Sequence, residues 1–353
     1  MKKIAYIELD THAEIAANFM ELMNDSGQFS VDYYFSEKVA KQINRIGESI
    51  FVTKSSEIFN LLKDKDYELV IIGTVHRYFD TFLEITEHFD TSVIVHNLNF
   101  TKISRFQLLK NIFKKDFKYR LKLLAKEGLL SAPKVFEKAS NLLVLDESLI
   151  NKNPDLSLKF LPVFYLLKYE KPRKSIITIV IPGAVSQQRR DYLHVLNSLK
   201  NFQRKSHYQF VFLGKALGNE LSWIKKFEKS KSQNISVKYF TEKVPQLLFD
   251  EWMQRADLLW CPLQKETEFF SQKEFYGITK MSGNVGDAIK YGKVAVFPAD
   301  YPNSYPFIIP ENENIEEEIY TYHKWMEYDF EQNFTKEKVL ESLERTLAEL
   351  LKI

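Results

Sequence analysis

Four of the chain's 11 glycines, Gly277, Gly283, Gly286 and Gly292, fall within residues 274–298 (EFYGITKMSGNVGDAIKYGKVAVFP). Glycine beside a helix start lets the backbone approach a ligand closely, and the unpaired amides there can receive an anion. Thr279 and Ser282 add hydroxyl donors, and Lys280 adds a cation suited to phosphate. Asp287, read as the opening of the following helix, offers a carboxylate to a ribose or sugar hydroxyl. A plain turn capped by Gly292 accounts for one glycine and not for the other three, so the segment reads best as a diphosphate site.

Residues 179–192 (IVIPGAVSQQRRDY) carry a second candidate, in which a strand runs into Pro182-Gly183 and a loop bearing Arg189 and Arg190 enters a helix. Neither a Walker loop nor a G-x-G-x-x-G fingerprint is present. Arginine at such a place can reach a phosphate, and the plain alternative is a solvated pair at a helix start. In the amino half, polar residues follow three apolar runs: Asp10 and His12, then His76 and Arg77, then His96 and Asn97. A histidine there can act as general base on an acceptor hydroxyl, with Asp10 as the carboxylate that orients His12; a loop histidine held by backbone is the bland reading. No H-x-H or H-E-x-x-H spacing occurs, and the D-x-D at Asp64 and Asp66 precedes a strand instead of following one. No required metal and no bound cofactor are expected.

These residues need elements to hold them. Short apolar runs at 4–9, 30–35, 68–74, 91–96 and 141–145 alternate with helical patterns at 13–23, 55–63, 81–88 and 102–127. Continuous apolar runs flanked by helices signal a parallel sheet covered on both faces. After a polar stretch with Pro172 at 168–174, suited to a linker, the alternation restarts. Strands are expected at 175–181, 208–213, 234–240, 258–262 and 294–298, with helices at 187–199, 220–229, 244–254 and 285–291. The fold class is therefore α/β, with two doubly wound Rossmann-like domains facing a cleft. The divisions are a first Rossmann-like domain over 1–167, a second over 168–310 and a helical tail over 311–353.

With those elements in place, the segments resemble a known family. The strand–glycine–basic loop of 179–192, then YFTEKVP, ADLLWCPL and YGITKMSGNVGDAIKYGKVAVFP, resemble the carboxyl half of GT-B glycosyltransferases. The likeness is greatest to the group holding bacterial polysaccharide and lipopolysaccharide transferases. It covers about 175–300; the amino half shares only the strand–helix plan. The resemblance implies a nucleotide-diphosphate-sugar donor in the second domain and a glycan or lipid-linked acceptor in the first. It implies Gly183 and Arg189 at the phosphates, a base-facing loop of Phe240, Thr241, Glu242 and Val244, Asp287 at the ribose, and His96 at the donor sugar. Ala184 stands where the family often has arginine, and Thr279 stands eight residues before Asp287 where it has glutamate. The alternatives are a nucleotide-sugar epimerase on the same fold and a non-catalytic, transferase-like partner subunit.

The segment from Lys102 to Lys126 holds nine Lys or Arg against one Asp, with Phe106, Leu109, Phe113, Phe117, Leu121 and Leu124 at helical spacing. It reads either as a face resting on anionic lipid or as a helix burying that stripe in its own domain. Over 353 residues the net charge is +2, and 14% aromatics give ample material for cores, so a nucleic-acid partner is not expected. The one cysteine, Cys261, excludes an internal disulfide. The apolar run at 4–7 is too short for a signal peptide, so the expected location is the cytoplasm, at most peripheral on the inner face of the cell membrane.

Overall fold

The computed structural model describes residues 1–168, 176–325 and 328–351. The linker expected at 168–174 lies outside the described residues apart from Lys168. In the first half the apolar runs form β1 (Lys2–Glu8), β2 (Phe29–Phe35), β3 (Ile50–Val52), β4 (Leu69–Ile72), β5 (Thr91–Ile94), β6 (Asn141–Val144) and β7 (Leu158–Phe160). They pair in parallel in the order β3-β2-β1-β4-β5-β6-β7. Leu69, Val70, Ile71 and Ile72 are all fully buried, as consecutive residues are when helices cover both faces of a sheet.

The second half repeats the plan with β8 (Ile177–Pro182), β9 (Tyr208–Lys215), β10 (Ile235–Phe240) and β11 (Leu258–Trp260), followed by β12 (Glu266–Phe269) and β13 (Gln272–Phe275), then β14 (Ala295–Phe297) and β15 (Ile308–Pro310). Six of these form a parallel sheet in the order β10-β9-β8-β11-β14-β15. Both sheets reverse their winding direction at the first strand, β1 beside β4 and β8 beside β11, which opens a crevice at the carboxyl ends. The structure is thus α/β with two doubly wound domains. The described residues of the tail divide between the two. Ile315 and Ile319 of the helix Ile315–Trp325 join the second core, whereas Val339, Leu343, Leu347 and Leu350 of the helix Lys336–Leu350 return to the first and pack with Ile4, Tyr6 and Phe19.

Two departures from the sequence reading shape the cleft. The single helix expected over 102–127 is two helices, Arg105–Ile112 and Phe117–Lys126, separated at Asp116 with φ 49°. Ser104 and Gln107 form a capping box that starts the first. The expected apolar stripe turns outward: Leu108, Ile112 and Leu123 are buried, while Phe106, Leu109, Phe113, Phe117 and Leu121 are exposed.

The second departure is the antiparallel hairpin β12–β13, which leaves the second domain and enters the first. Its two-residue turn, Phe270-Ser271, has φ 52° and 57°, the conformation that Asn-Gly usually supplies. Phe100 and the guanidinium of Arg120 pack on Phe270 and compensate that backbone. Arg120 also donates to Ser271 Oγ at 2.8 Å, and Asn111 Nδ2 donates to the Phe270 carbonyl at 3.0 Å. At the hairpin's base the fully buried Glu274 accepts the backbone amides of Asn99 at 3.2 Å and Phe100 at 2.9 Å. Glu274→Ala leaves both amides without an acceptor, so the urea unfolding free energy should fall by about 1–3 kcal/mol. Glu274→Gln, which keeps one acceptor oxygen, should lose less; an unchanged midpoint for the alanine variant would show that the junction does not depend on this carboxylate.

Candidate active site

The first wall of the cleft begins where β1 ends. Glu8, fully buried at the end of that strand, accepts the amides of Asp10 and Thr11 at 3.0 and 3.2 Å and the hydroxyl of Thr74 at 2.6 Å. Burial pushes its carboxyl up to about 7 against these hydrogen bonds. The loop so held presents His12, left-handed at φ 56°, as the residue before the helix Ala13–Met23. His12 Nδ1 lies 3.1 Å from Glu14 Oε1. With Nδ1 donating to that carboxylate, Nε2 is left as the proton-accepting atom. Desolvation raises the Glu14 carboxyl, and the His12 contact outweighs it and holds the group below its usual range.

Two more rings surround His12. His96, after β5, stacks on it with centroids 3.9 Å apart, and its Nε2 lies 2.9 Å from the Gly73 carbonyl. His76, after β4, meets both rings edge-on near 6 Å, and its Nε2 contacts Asn97 Nδ2 at 3.1 Å. Burial, then the neighbouring His12, holds His76 and His96 well below the usual imidazole range. Both rings are therefore neutral near pH 7, and His96 donates from Nε2 to the carbonyl.

The opposite wall comes from the second domain. Lys280 reaches across to the first, its Nζ donating to Asn97 Oδ1 at 2.7 Å and to the His96 carbonyl at 3.2 Å. Burial pushes this lysine down to about 8, with Glu274 raising it and Arg189 lowering it. Ser282 caps the helix Gly283–Tyr291 by accepting the Asn284 amide, so that helix points its amino end into the cleft. Arg189 is exposed on the same wall, and no ion pair engages it among the described residues. Arg190 crosses Gly183, where φ is 104° and a Cβ would stand 2.5 Å from the guanidinium, and donates to Asn284 Oδ1 at 3.0 Å. Between the walls lies a cavity of about 490 Å³ that His12, His76, His96, Arg189, Arg190, Lys280, Ser282 and Gly283 all line. Arg190 Nε and Thr11 Oγ1 are buried there without a hydrogen-bond partner among the described residues. Orphaned polar atoms in a cleft of this size suit a polar ligand.

The structure brings together His12, His96, Arg189, Lys280, Ser282 and Gly283, and places the other expected residues elsewhere. Asp10, expected to orient His12, instead faces Arg77 and Lys38, each at 3.8 Å, and Glu14 has the place beside His12. Asp287 stands in the second turn of its helix and not at the start; Asn284 Nδ2 donates to it at 3.0 Å, and burial raises it to about 6. Thr279 is buried, with its hydroxyl accepting the Phe275 amide at 2.9 Å. Of the four clustered glycines only Gly283 lies in the cleft; Gly277 packs on Tyr301, Gly286 on Phe164 and Gly292 on Leu166. Phe240 and Val244 pack partly buried on the second core, with Thr241 and Glu242 exposed, and none of the four lines the cavity. Glu8 and Glu14 escaped the sequence reading; the signal was present in the run E-L-D-T-H-A-E, where each carboxylate brackets the histidine loop.

In sequence, no protein-family profile and no curated protein matches this chain. In three dimensions it is similar to sucrose-phosphate synthase from Thermosynechococcus elongatus, with TM-score 0.57 and 11% identity, covering 100% of each chain. It is similar to Anabaena HepE in complex with UDP-glucose at TM-score 0.56 and 12% identity, over 99% of this chain and 100% of that one. It is similar also to UDP-GlcNAc 2-epimerase from Methanocaldococcus jannaschii at TM-score 0.53 and 11% identity, over 98% and 99%. With its two doubly wound domains facing one cleft, the chain shares the GT-B fold of these structures.

Proposed function

We propose that the protein is a glycosyltransferase that moves a hexose-type sugar from a nucleoside diphosphate to a hydroxyl of a glycan or lipid-linked acceptor. The observation that carries this reading is the opposition of the two walls. Arg189, Lys280 and a helix amino end converge on one side of the cavity, and the His12–Glu14 pair stands on the other. The first set suits a departing diphosphate, and the second suits removal of a proton. In the proposed step His12 Nε2 takes the acceptor's proton and the acceptor oxygen bonds to the anomeric carbon. The bond from that carbon to the diphosphate oxygen breaks with its electron pair staying on the diphosphate. Glu14 steadies the imidazolium that forms. A single displacement of this kind inverts the anomeric centre.

The same reading assigns acceptor binding to the first domain. A second cavity of about 540 Å³ opens beside Leu9 at the carboxyl ends of β2 and β3, and its lining includes Ser36, Thr53, Lys54, Ser55 and Ser56. With Glu37 and Glu57 also in that lining, its hydroxyls and carboxylates suit the hydroxyls of a carbohydrate. The pathway proposed is the building of a cell-surface polysaccharide or lipopolysaccharide. The proposed step runs without a metal. HepE's complex with UDP-glucose makes a UDP-sugar the first donor to try.

Thermal stabilisation by UDP, GDP, CMP, ADP and dTDP tests the donor site, since a ligand of the folded state raises Tm by mass action. One nucleotide should stabilise the wild type, and Arg189→Ala and Lys280→Ala should each abolish the shift; no shift with any of them removes the reading. Affinity should also depend on pH. Lys280 must be protonated to hold a diphosphate, so affinity should be level near pH 7 and fall as pH rises through about 8, by at most about tenfold per unit for one proton. Titration calorimetry at pH 7, 8 and 9 reads this, and Lys280→Arg, charged throughout, should be flat. With the donor known, His12→Ala should lower kcat by about 100- to 10,000-fold and leave nucleotide affinity unchanged. Product analysis without acceptor separates the classes, because an epimerised nucleotide-sugar would assign the cleft to an epimerase.

A further inference from the structure

The two helices Arg105–Ile112 and Phe117–Lys126 carry apolar side chains on both sides, with Leu108, Ile112 and Leu123 buried in the core of the first domain and a second set facing outward. Their inner side also carries polar groups: Arg120 and Asn111 are buried and hold the hairpin turn at Ser271 and Phe270. Their outer side carries aromatics, with Phe106 and Phe113 exposed at 76% and 75% and Phe117, Tyr119 and Leu121 also open to solvent. Of the nine Lys and Arg residues between Lys102 and Lys126, only Arg120 is buried. Among the described residues, Lys115 alone of the exposed ones has an ion-pair partner, Glu268. Leaving large apolar side chains in water is unfavourable, and a patch of them is a contact surface.

We propose that this outer face docks on an anionic lipid bilayer. Charge and apolarity select that occupant together. A second copy of the chain would bring like charge against like charge. A nucleic acid would meet the lysines and leave Phe106, Phe113 and Leu121 in water. A bilayer with acidic headgroups takes both, with rings at the headgroup boundary and ammonium groups at the phosphates. Resting on the function proposed above, the placement has a consequence: the helices that meet the bilayer also hold the hairpin that lines the cleft, so a lipid-borne acceptor would enter beside its own membrane.

Flotation of the full chain with phosphatidylcholine vesicles, with and without phosphatidylglycerol, tests the docking. Two double variants accompany the wild type, Phe106→Ser with Phe113→Ser and Lys114→Glu with Lys118→Glu. All four side chains are exposed, so both proteins should fold, as an unchanged Tm would verify. The wild type should bind the anionic vesicles, binding should weaken with salt, and each pair should lose about tenfold or more in partitioning. Absence of binding to anionic vesicles, or equal binding by wild type and both variants, would overturn the proposal. Self-association lost in the phenylalanine pair without vesicle binding would give the face to a second copy, and would overturn it equally. Vesicle binding needs no nucleotide, so its failure leaves the donor-site reading standing, and the converse holds.

Discussion

The cleft depends on one junction, where two charged side chains of the second domain are planted on the loop after β5 of the first. Glu274 accepts the amides of Asn99 and Phe100, and Lys280 donates to Asn97 and to the His96 carbonyl. Burial works against both ions, raising the carboxyl of Glu274 and lowering the ammonium of Lys280. Their hydrogen bonds compensate, so the junction is better at fixing one geometry than at supplying stability. The geometry it fixes is the site itself. The residues that Lys280 grips are the neighbours of His76 and His12 across the loop, and the chain leaving Lys280 runs directly into the helix whose amino end faces them.

How far this was legible in the sequence followed burial. Inner strands such as β4 and β8 are covered on both faces, so they are written as unbroken apolar runs. The strands that escaped, β3, β7 and β15, stand at sheet edges and have three residues each. Edge strands need no such run, and β15 can end in Pro310 because no strand among the described residues pairs on its far side. The hairpin escaped for another reason. Its turn is Phe270-Ser271 where local chemistry asks for Asn-Gly, and what holds it is Arg120, Asn111 and Phe100 from a different domain. A local reading has no access to that support. The stretch 102–126 left two readings open, and packing decides between them: Leu108, Ile112 and Leu123 turn in beside Asn111 and Arg120, and Phe106, Phe113 and Phe117 turn out.

At the site, spacing along the chain succeeded for residues that follow strands and failed where the backbone turns. His12, His96 and Arg189 sit after β1, β5 and β8, as the winding rule requires, and all reach the cavity. The choice between Asp10 and Glu14 as partner of His12 rests on one dihedral. At φ 56° His12 sits left-handed, and its ring lies over the helix it precedes, where Glu14 stands. Asp10 is left facing Arg77 and Lys38. The glycines divide in a similar way, since three of the four make room for side chains from elsewhere in the fold and one opens to a ligand. A sequence shows that backbone must come close at these positions; only packing shows to what.

Burial acts in one direction on the ionisable groups in and around the cleft. Glu8 and Asp287 are raised, and Lys280, His76 and His96 are lowered, so burial disfavours the charged form of each. A diphosphate placed among Lys280, Arg189 and the amino end of the helix Gly283–Tyr291 would act on the cations of that set in one direction. It would favour the protonated lysine, and it would make each nearby imidazole a stronger base. For the transfer proposed, that sign is useful: the donor that needs a departing charge held would also favour the proton on the lysine that holds it. The two walls would then be coupled through the ligand between them, and the junction at Glu274 and Lys280 is what keeps them close enough for that coupling to act.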